Sequence, residues 1–419
     1  KQSKIKAMSA VRIHLKSDLK SSAIRLTGSK SETNRVLLLK ALYPNLMLIN
    51  DSNAHDVEMM KRGIEQISGE VDIHHAGTAM RFLTAYFASL DGSVITLTGS
   101  DRMKQRPIGV LVDALVELGA DVRYLENQGF PPLQISGKQL RGGHLKIRAD
   151  ISSQYLSALC LVAPKFSEGL ALTFDGTLTS VPYLKMTLKL LNAVGVETYL
   201  DENGLRIAPL SAIRDQSLSV ESDWSAASYY YSIVALSPVG TQVQLSVLKN
   251  DSLQGDRVLA DIYTEFGVET TFENDESIVL CKRSAPESRP YAFDLKDAPD
   301  IAQTIAVTAA GLGVECTMIG LHTLPIKETD RLAAMKAELE KCGLAVTISS
   351  NSLKVHARYT ELKSAAIETY NDHRMAMAFA PLATRVPLEI RDPSVVEKSY
   401  PDFWRDLSLL GFDCSLQAD

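Results

Sequence analysis

Apolar and polar residues along the chain follow one recurring pattern: an amphipathic helix, a glycine, then an alternating strand. It runs through Met59–Ile73, Leu111–Leu125, Leu188–Leu200, Ala260–Phe272, Met335–Ile348 and Phe403–Leu416. Before the glycine the apolar residues recur at helical spacing. After it they recur at every second position, as in a half-buried strand. Gly69, Gly119, Gly195, Gly267, Gly343 and Gly411 are expected to end the helices, because glycine enters the left-handed conformation that closes a helix without steric cost. Gly69 and Gly119 are 50 residues apart and Gly119 and Gly195 are 76 apart, a period too long and uneven for a solenoid. The repetition predicts two domains of three mixed α/β units, with helices packed inward and sheets facing out. No GxGxxG follows a first strand, which argues against a dinucleotide-binding sheet.

Length agrees with two domains, since 419 residues exceed what one ordinary core of about 150–200 residues accommodates. The apolar fraction of 45% and charged fraction of 22% are those of a globular protein. Lys+Arg 44 against Asp+Glu 50 gives −6, which speaks against nucleic acid or an anionic membrane as partner. Cys160, Cys281, Cys316, Cys342 and Cys414 are scattered and form no CxxC pair. They are expected to be reduced thiols of a cytoplasmic protein, with neither a disulfide framework nor a zinc site. Residues 1–7 are basic with no apolar run behind them, unlike a signal peptide. No run reaches the roughly 18 apolar residues that span a bilayer.

Against this acidic background, polar and basic residues stand at predicted helix starts. Gly28-Ser29-Lys30-Ser31-Glu32-Thr33-Asn34-Arg35 opens with a Ser29…Glu32 capping box; it lacks the first glycine of a Walker A loop. His75-Ala76-Gly77-Thr78-Ala79-Met80-Arg81 begins a helix on a glycine, which lets a ligand approach the backbone. In Lys104-Gln105-Arg106-Pro107-Ile108-Gly109, Pro107 suits a first helical position and would place Arg106 at the mouth of that helix. Ser152-Ser153-Gln154-Tyr155 and Gly176-Thr177-Leu178-Thr179-Ser180 offer several small polar side chains before a helix, of which one suffices as a cap. Asp297-Ala298-Pro299-Asp300 reads either as an Asp300…Gln303 capping box or as a site. In Lys327-Glu328-Thr329-Asp330-Arg331 the two cations would share a helix face, favourable if an anion sits between them. Asn371-Asp372-His373-Arg374 and Val396-Glu397-Lys398-Ser399-Tyr400 complete the series.

Each motif alone also reads as an ordinary cap or a solvated basic surface. Together they place Lys30, Arg106, Lys327, Arg331, Arg374 and Lys398 at helix starts from both halves of the chain. Helix N-termini with arginine forks and lysine point charges make an anion trap. That is more positive charge than one phosphate needs, so a pair of anionic substrates fits better.

GSKSETNR, AGTAMR, QRPIG, SSQYLSAL, KETDR, DHRMAM and EKSYPDF, in this order from about residue 20 to residue 410, closely resemble the EPSP synthase (3-phosphoshikimate 1-carboxyvinyltransferase) family. The resemblance implies a two-domain inside-out α/β barrel, each domain three βαβαββ repeats, with the active site in the cleft between them. It implies residues 1–28 plus 222–419 as one domain and 29–221 as the other. It implies transfer of the enolpyruvyl group of phosphoenolpyruvate to the 5-hydroxyl of shikimate-3-phosphate by a cytoplasmic monomer that uses no metal or cofactor. Shikimate-3-phosphate would be held by Lys30, Ser31, Arg35, Ser152, Ser153, Gln154, Ser180, Tyr183, Asp300, Thr323 and Lys327. Phosphoenolpyruvate would be held by Lys30, Gly77, Arg106, Gln154, Arg331, Arg374 and Lys398.

Asp300 looks like the proton acceptor for the attacking hydroxyl, and Glu328 like the acid that protonates the methylene carbon, with Lys30 beside them. The reaction needs one group to give a proton and another to take one. It also needs cations to hold the departing phosphate and closure to exclude water. His75, Thr323 and Pro325 depart from the common family pattern, which has asparagine at the first two places and often a basic residue at the third. Retention of Gly77 predicts inhibition by glyphosate, a mimic of phosphoenolpyruvate; Phe82, where some relatives have proline, is expected to weaken it. Other readings are the sibling that uses UDP-N-acetylglucosamine, RNA 3′-terminal phosphate cyclase, and a non-catalytic shikimate-3-phosphate-binding protein. The first carries a reactive loop cysteine, whereas no cysteine lies near Arg106. The second would require a histidine motif that is absent. The third is opposed by the intact Lys30, Asp300, Glu328, Arg331 and Arg374.

Overall fold

The fold is that of a computed structural model, which describes residues 8–16, 19, 23–148, 153–176, 178, 181–273, 277–357 and 360–418. Two compact units are present. Gly28–Glu221 is the middle unit; Lys1–Thr27 and Ser222–Asp419 together form the terminal unit.

The helices of the middle unit are α1 (Lys30–Leu42), α2 (His55–Ile64), α3 (Gly77–Ser89), α4 (Asp101–Lys104), α5 (Gly109–Glu117), α6 (Ser153–Val162) and α7 (Val181–Ala193). Ser68–Asp72 runs parallel to Val94–Thr98, which pairs antiparallel with Leu133–Ser136, itself antiparallel to Asp121–Tyr124. Helix α3 crosses between the parallel strands and α5 leads to the outer strand, so the unit reads βαβαββ. Gly143–Arg148, Leu170–Asp175, Gly204–Ile207 and Thr198–Leu200 repeat this order, with α6 and α7 as the crossovers.

The terminal unit contains α8 (Trp224–Leu236), α9 (Leu259–Glu265), α10 (Ala302–Leu312), α11 (Arg331–Lys341), α12 (His373–Phe379) and α13 (Phe403–Leu409). Three four-stranded sheets have the same order as those of the middle unit. In one of them the N-terminal strand Met8–Leu15 lies between Leu388–Arg391 and Phe412–Ala418.

Within each unit the helices form the core and the sheets shield it. Ala79 to Ala88 of α3, Tyr155 to Val162 of α6 and Ala302 to Gly311 of α10 are buried throughout. A helix apolar on all sides is stable only when surrounded. The strands alternate: Ile95, Leu97, Leu145 and Ile147 point inward while Val94, Lys146 and Arg148 point out. Each fully buried side chain of the size of Phe82 or Leu156 contributes roughly 1.5–3 kcal/mol, so these central helices are held by packing.

Gly119, Gly195, Gly267, Gly343 and Gly411 follow their helices with positive φ between 78° and 103°, as the repeat predicts. Gly69 does not. Helix α2 stops at Ile64, and Gly69 lies inside the strand Ser68–Asp72 with φ 91°. That strand opens the next sheet, whereas the strand after each of the other five glycines is an outer strand of its sheet, paired antiparallel to its neighbour. The glycine that matters to α2 is Gly63, where a Cβ would meet Leu83 Cδ1 of α3 at 2.4 Å. Among the described residues the sixth sheet has two strands only, Leu46–Ile49 and Gln216–Ser219.

Candidate active site

In the terminal unit, three carboxylates gather round one arginine. Pro299 opens a 3₁₀ turn, Pro299–Ile301, that carries Asp300 to the start of α10. Among the described residues no side chain caps α10, so of the two readings of this motif the Asp300…Gln303 capping box does not form. Instead Asp300 Oδ1 accepts from Arg331 Nη1 at 2.8 Å and lies 3.6 Å from Lys327 Nζ, while Oδ2 is 3.3 Å from Arg374 Nη2. Gln303 is buried and, among the described residues, its amide has no hydrogen-bond partner.

Arg331 begins α11 and its side chain is 2% exposed. Its Nε donates to Asp372 Oδ2 at 2.7 Å and its Nη2 to Glu328 Oε2 at 2.9 Å. Burial alone would lower the guanidinium pKa, but Asp372, Glu328 and Asp300 override it and raise it above the ordinary range. Glu328 also accepts from Lys398 Nζ at 2.7 Å. Lys398 closes the 3₁₀ segment Pro393–Lys398.

The expected sharing of a helix face by Lys327 and Arg331 is not observed. Asp330 caps α11 by accepting from Leu332 N and Ala333 N, so the helix begins only at Arg331. Lys327 precedes it in extended conformation. The two cations still converge on an anion, and it is Asp300. Burial would raise the Asp300 carboxyl, yet Arg374, Lys327 and Arg331 together hold it well below the usual carboxylate range.

Asp372 caps α12, its Oδ1 accepting from Arg374 N at 2.9 Å. Ahead of it Tyr370 and Asn371 have φ 53° and 55°, a left-handed pair that non-glycine residues hold at a cost of order 1–3 kcal/mol each. Tyr370 OH donates to the buried Glu338 of α11 at 2.6 Å, which pins the pair in place. Four cations (Lys327, Arg331, Arg374, Lys398) thus meet three carboxylates (Asp300, Glu328, Asp372). Thr323 precedes the 3₁₀ turn Leu324–Ile326, and its hydroxyl is buried with no hydrogen-bond partner among the described residues.

In the middle unit, Ser29 caps α1 by accepting from Glu32 N at 3.4 Å. Only this half of the expected capping box forms. Ser29 N donates to Glu221 O at 2.7 Å, and the Glu32 carboxylate takes Glu221 N instead. Lys30, the first residue of α1, pairs with the buried Asp56 at 3.1 Å. Arg35 is 2% exposed and bolts three helices together. Its Nε donates to Thr187 Oγ1, its Nη1 to Ser31 O and its Nη2 to Ser157 Oγ, with Tyr183 O at 3.4 Å. Burial lowers its pKa to about 10 against the pull of Tyr183, Glu32 and Cys160, so it remains charged at neutral pH. Phe82 is fully buried with Arg35 5.4 Å from its ring centre.

Helix α3 starts at Gly77 without a side-chain cap. A Cβ on Gly77 would meet Arg106 Nη1 at 2.4 Å; glycine therefore lets that guanidinium lie against the first turn of α3. Pro107 is not a first helical residue, since α5 begins at Gly109. Arg106 faces α3, and Pro107 O is held by Arg81 Nη2 at 2.7 Å and by Tyr155 OH at 2.5 Å. Among the described residues no carboxylate pairs with Arg106. Gln154 Nε2 donates to Thr78 Oγ1 at 3.1 Å, and Ser153 is the first residue of α6. His75 Nδ1 is 2.8 Å from Ser100 Oγ. Ser152 and Ser180 lie outside the described residues.

A sequence profile of EPSP synthase (3-phosphoshikimate 1-carboxyvinyltransferase) matches residues 47–407. The chain belongs to the EPSP synthase family. A relative named 3-phosphoshikimate 1-carboxyvinyltransferase from Bacteroides fragilis (strain YCH46) is 41% identical over 396 residues, covering 93% of this chain and 95% of the relative. One of the same name from Actinobacillus succinogenes is 36% identical over 422 residues, covering 92% and 96%. Among solved structures, EPSP synthase from Acinetobacter baumannii superposes with TM-score 0.78 at 19% identity, over 97% of this chain and all of that one. The enolpyruvyl transferase NikO from Streptomyces tendae gives 0.74 at 15%, over 98% and 100%. At those identities the two structures speak for the fold, the two-domain inside-out α/β architecture.

This EPSP synthase family member contains partners that sequence reasoning did not single out. Asp56, 26 residues from Lys30, and Asp256, 31 residues from Ser225, are isolated acids with no motif around them. Asp372 lay inside a motif but was not assigned a role. Burial pushes the Cys160 and Cys316 thiols up to about 12, away from the reactive thiolate. Among the described residues no helix is long and apolar enough to cross a membrane, and no three His, Cys, Asp or Glu side chains gather as a metal site would need.

Proposed function

We propose that this chain transfers the enolpyruvyl group of phosphoenolpyruvate to the 5-hydroxyl of shikimate-3-phosphate, releasing phosphate through a tetrahedral intermediate. The observation that carries the reading is Asp300, a carboxylate bound by Lys327, Arg331 and Arg374 at once, with Glu328 sharing Arg331.

With its pKa held so low, Asp300 is a weak base in the free protein. Anionic substrates would draw the same cations to themselves and bring negative charge close to Asp300. Both effects raise its basicity, so it becomes able to accept the hydroxyl proton only when substrates are bound. Glu328 is bound by Arg331 and Lys398, and would be released to act as the acid once these turn to a phosphate or carboxylate. It would then protonate the methylene carbon. The hydroxyl adds to the resulting cationic C2, and loss of a methyl proton and phosphate restores the enol ether.

In this reading Lys30, Arg106, Arg331, Arg374 and Lys398, with Gly77 and Gln154, hold phosphoenolpyruvate. Lys30, Ser31, Ser152, Ser153, Gln154, Ser180, Tyr183, Asp300, Thr323 and Lys327 hold shikimate-3-phosphate. Arg35, expected as a direct ligand, is 2% exposed with its guanidinium donating to Thr187, Ser157 and the Ser31 carbonyl, and in this reading it orients Ser31 and Tyr183 around that ligand instead. The chain works as a cytoplasmic monomer without a metal or cofactor; its free thiols suit a reducing compartment.

The test is phosphate release from purified protein given phosphoenolpyruvate with shikimate-3-phosphate, with UDP-N-acetylglucosamine, or alone. Release that depends on shikimate-3-phosphate is expected. Release only with the UDP-sugar, or none from folded protein, would overturn the assignment.

A further inference from the structure

Behind the Asp300 cluster lies a second buried carboxylate, Asp256, 4% exposed on the 3₁₀ turn Gly255–Val258. Among the described residues no cation lies within ion-pair distance of it. Its Oδ2 accepts the proton of Ser225 Oγ, in the first turn of α8. A hydroxyl has one proton. With that proton committed to Asp256, the lone pairs of Ser225 are left for Arg374, whose Nη2 donates to Ser225 Oγ at 3.2 Å and lies 3.3 Å from Asp300 Oδ2.

The turn that carries Asp256 is itself tied to the start of α8. Gln254 Oε1 accepts from Trp224 N at 3.0 Å, and Gln254 Nε2 donates to Ser222 O at 2.8 Å. Asp223 caps the same helix through Ala226 N. Asp256 is thus set beside Ser225, two residues from the Gln254 clamp.

We propose that Asp256 is a positioning residue: through Ser225 it aims the Arg374 guanidinium, and so sets affinity for phosphoenolpyruvate. This rests on Arg374 holding that substrate. The groups facing Asp256 are Asp300, Arg374, Asp223 and Ser225. Burial first, and the Asp300 charge next, push its carboxyl up to about 6, against the pull of Arg374 and the Ser225 hydrogen bond. As pH falls through that value, the carboxyl takes a proton and can donate to Ser225. The hydroxyl is then no longer obliged to turn its lone pairs to Arg374.

The experiment is steady-state kinetics of the wild type, Asp256→Asn and Ser225→Ala from about pH 5 to about pH 8. At pH 7 both variants are expected to raise KM for phosphoenolpyruvate on the order of tenfold, with kcat and KM for shikimate-3-phosphate changed less than about threefold. The substrate's own phosphate ionises near ~6, but it does so equally for all three proteins. The ratio of variant to wild-type KM should therefore shrink as pH falls below about 6. A constant ratio across pH, a loss confined to kcat, or wild-type values in both variants would overturn the proposal. Ser225→Ala removes a single hydroxyl and carries the test if Asp256→Asn does not fold. Turnover by the wild type decides the reaction itself, separately from either variant.

Discussion

Arg331 and Asp372 join the starts of two helices through one carboxylate. Asp372 Oδ2 accepts from Arg331 Nε at 2.7 Å at the head of α11, and Asp372 Oδ1 accepts from Arg374 N at 2.9 Å at the head of α12. Both side chains are buried, 2% and 0% exposed. Asp372→Ala removes a helix cap and leaves a buried guanidinium short of one partner. Breaking a buried pair from one side costs about 3–5 kcal/mol, so urea unfolding should show a loss of that order. A loss under about 1 kcal/mol would mean that Asp300 and Glu328 alone satisfy Arg331.

Asp256 predicts an unusual pH dependence of stability. Its carboxyl is raised from 3.8 to about 6 in the folded state, so folding favours the protonated form. The stability this adds is fully present below about 3.8 and is lost as pH rises through about 6. Above that pH the ionised group costs about 3 kcal/mol relative to a neutral one. Asp256→Asn should therefore be more stable than wild type at pH 8 by up to about 3 kcal/mol, with the difference vanishing toward pH 4. Equal destabilisation at both pH values would contradict the prediction. Gain of stability with loss of affinity would mark Asp256 as retained for function.

Gly77→Ala adds a Cβ 2.4 Å from Arg106 Nη1. The clash is with the end of a flexible side chain, so the fold should survive with a melting temperature within about 4 °C of wild type. Arg106 must move from the first turn of α3, and KM for phosphoenolpyruvate should rise at least about tenfold. Glyphosate should inhibit the wild type in competition with phosphoenolpyruvate and should weaken in parallel in the variant. Wild-type inhibition only at millimolar glyphosate, or a variant with unchanged KM, would count against the placement of Arg106.

The mixed α/β fold was legible wherever a signal was local. The glycines after α5, α7, α9, α11 and α13 are visible because a helix end is decided by the few residues around it. Gly69 misleads for the same reason. Helix, glycine and alternating strand follow in the same order there, and only pairing with Val94–Thr98 shows that the strand opens a new sheet. Lys327 and Arg331 have helical spacing, but Asp330 caps the helix between them. The acids that pair with the basic motifs were hidden most deeply. Nothing in the residues around Asp56 or Asp256 announces that folding brings them to Lys30 and Ser225. Asn371 suits a left-handed backbone, but Tyr370 before it gave no hint of one, because it is neither glycine nor asparagine.

The most direct test of the central claim is Asp300→Ala, measured for substrate binding by calorimetry and for turnover in the same preparation. In the proposed reaction Asp300 competes with phosphoenolpyruvate for Arg331 and Arg374, so its removal should leave that substrate bound as tightly as in wild type, or more tightly, while shikimate-3-phosphate, which Asp300 also holds, should lose no more than about tenfold in affinity. Turnover should fall by about 10²–10⁴, the usual contribution of a positioned general base. Turnover within about tenfold of wild type, or loss of binding in step with turnover, would contradict the role of Asp300 as the proton acceptor.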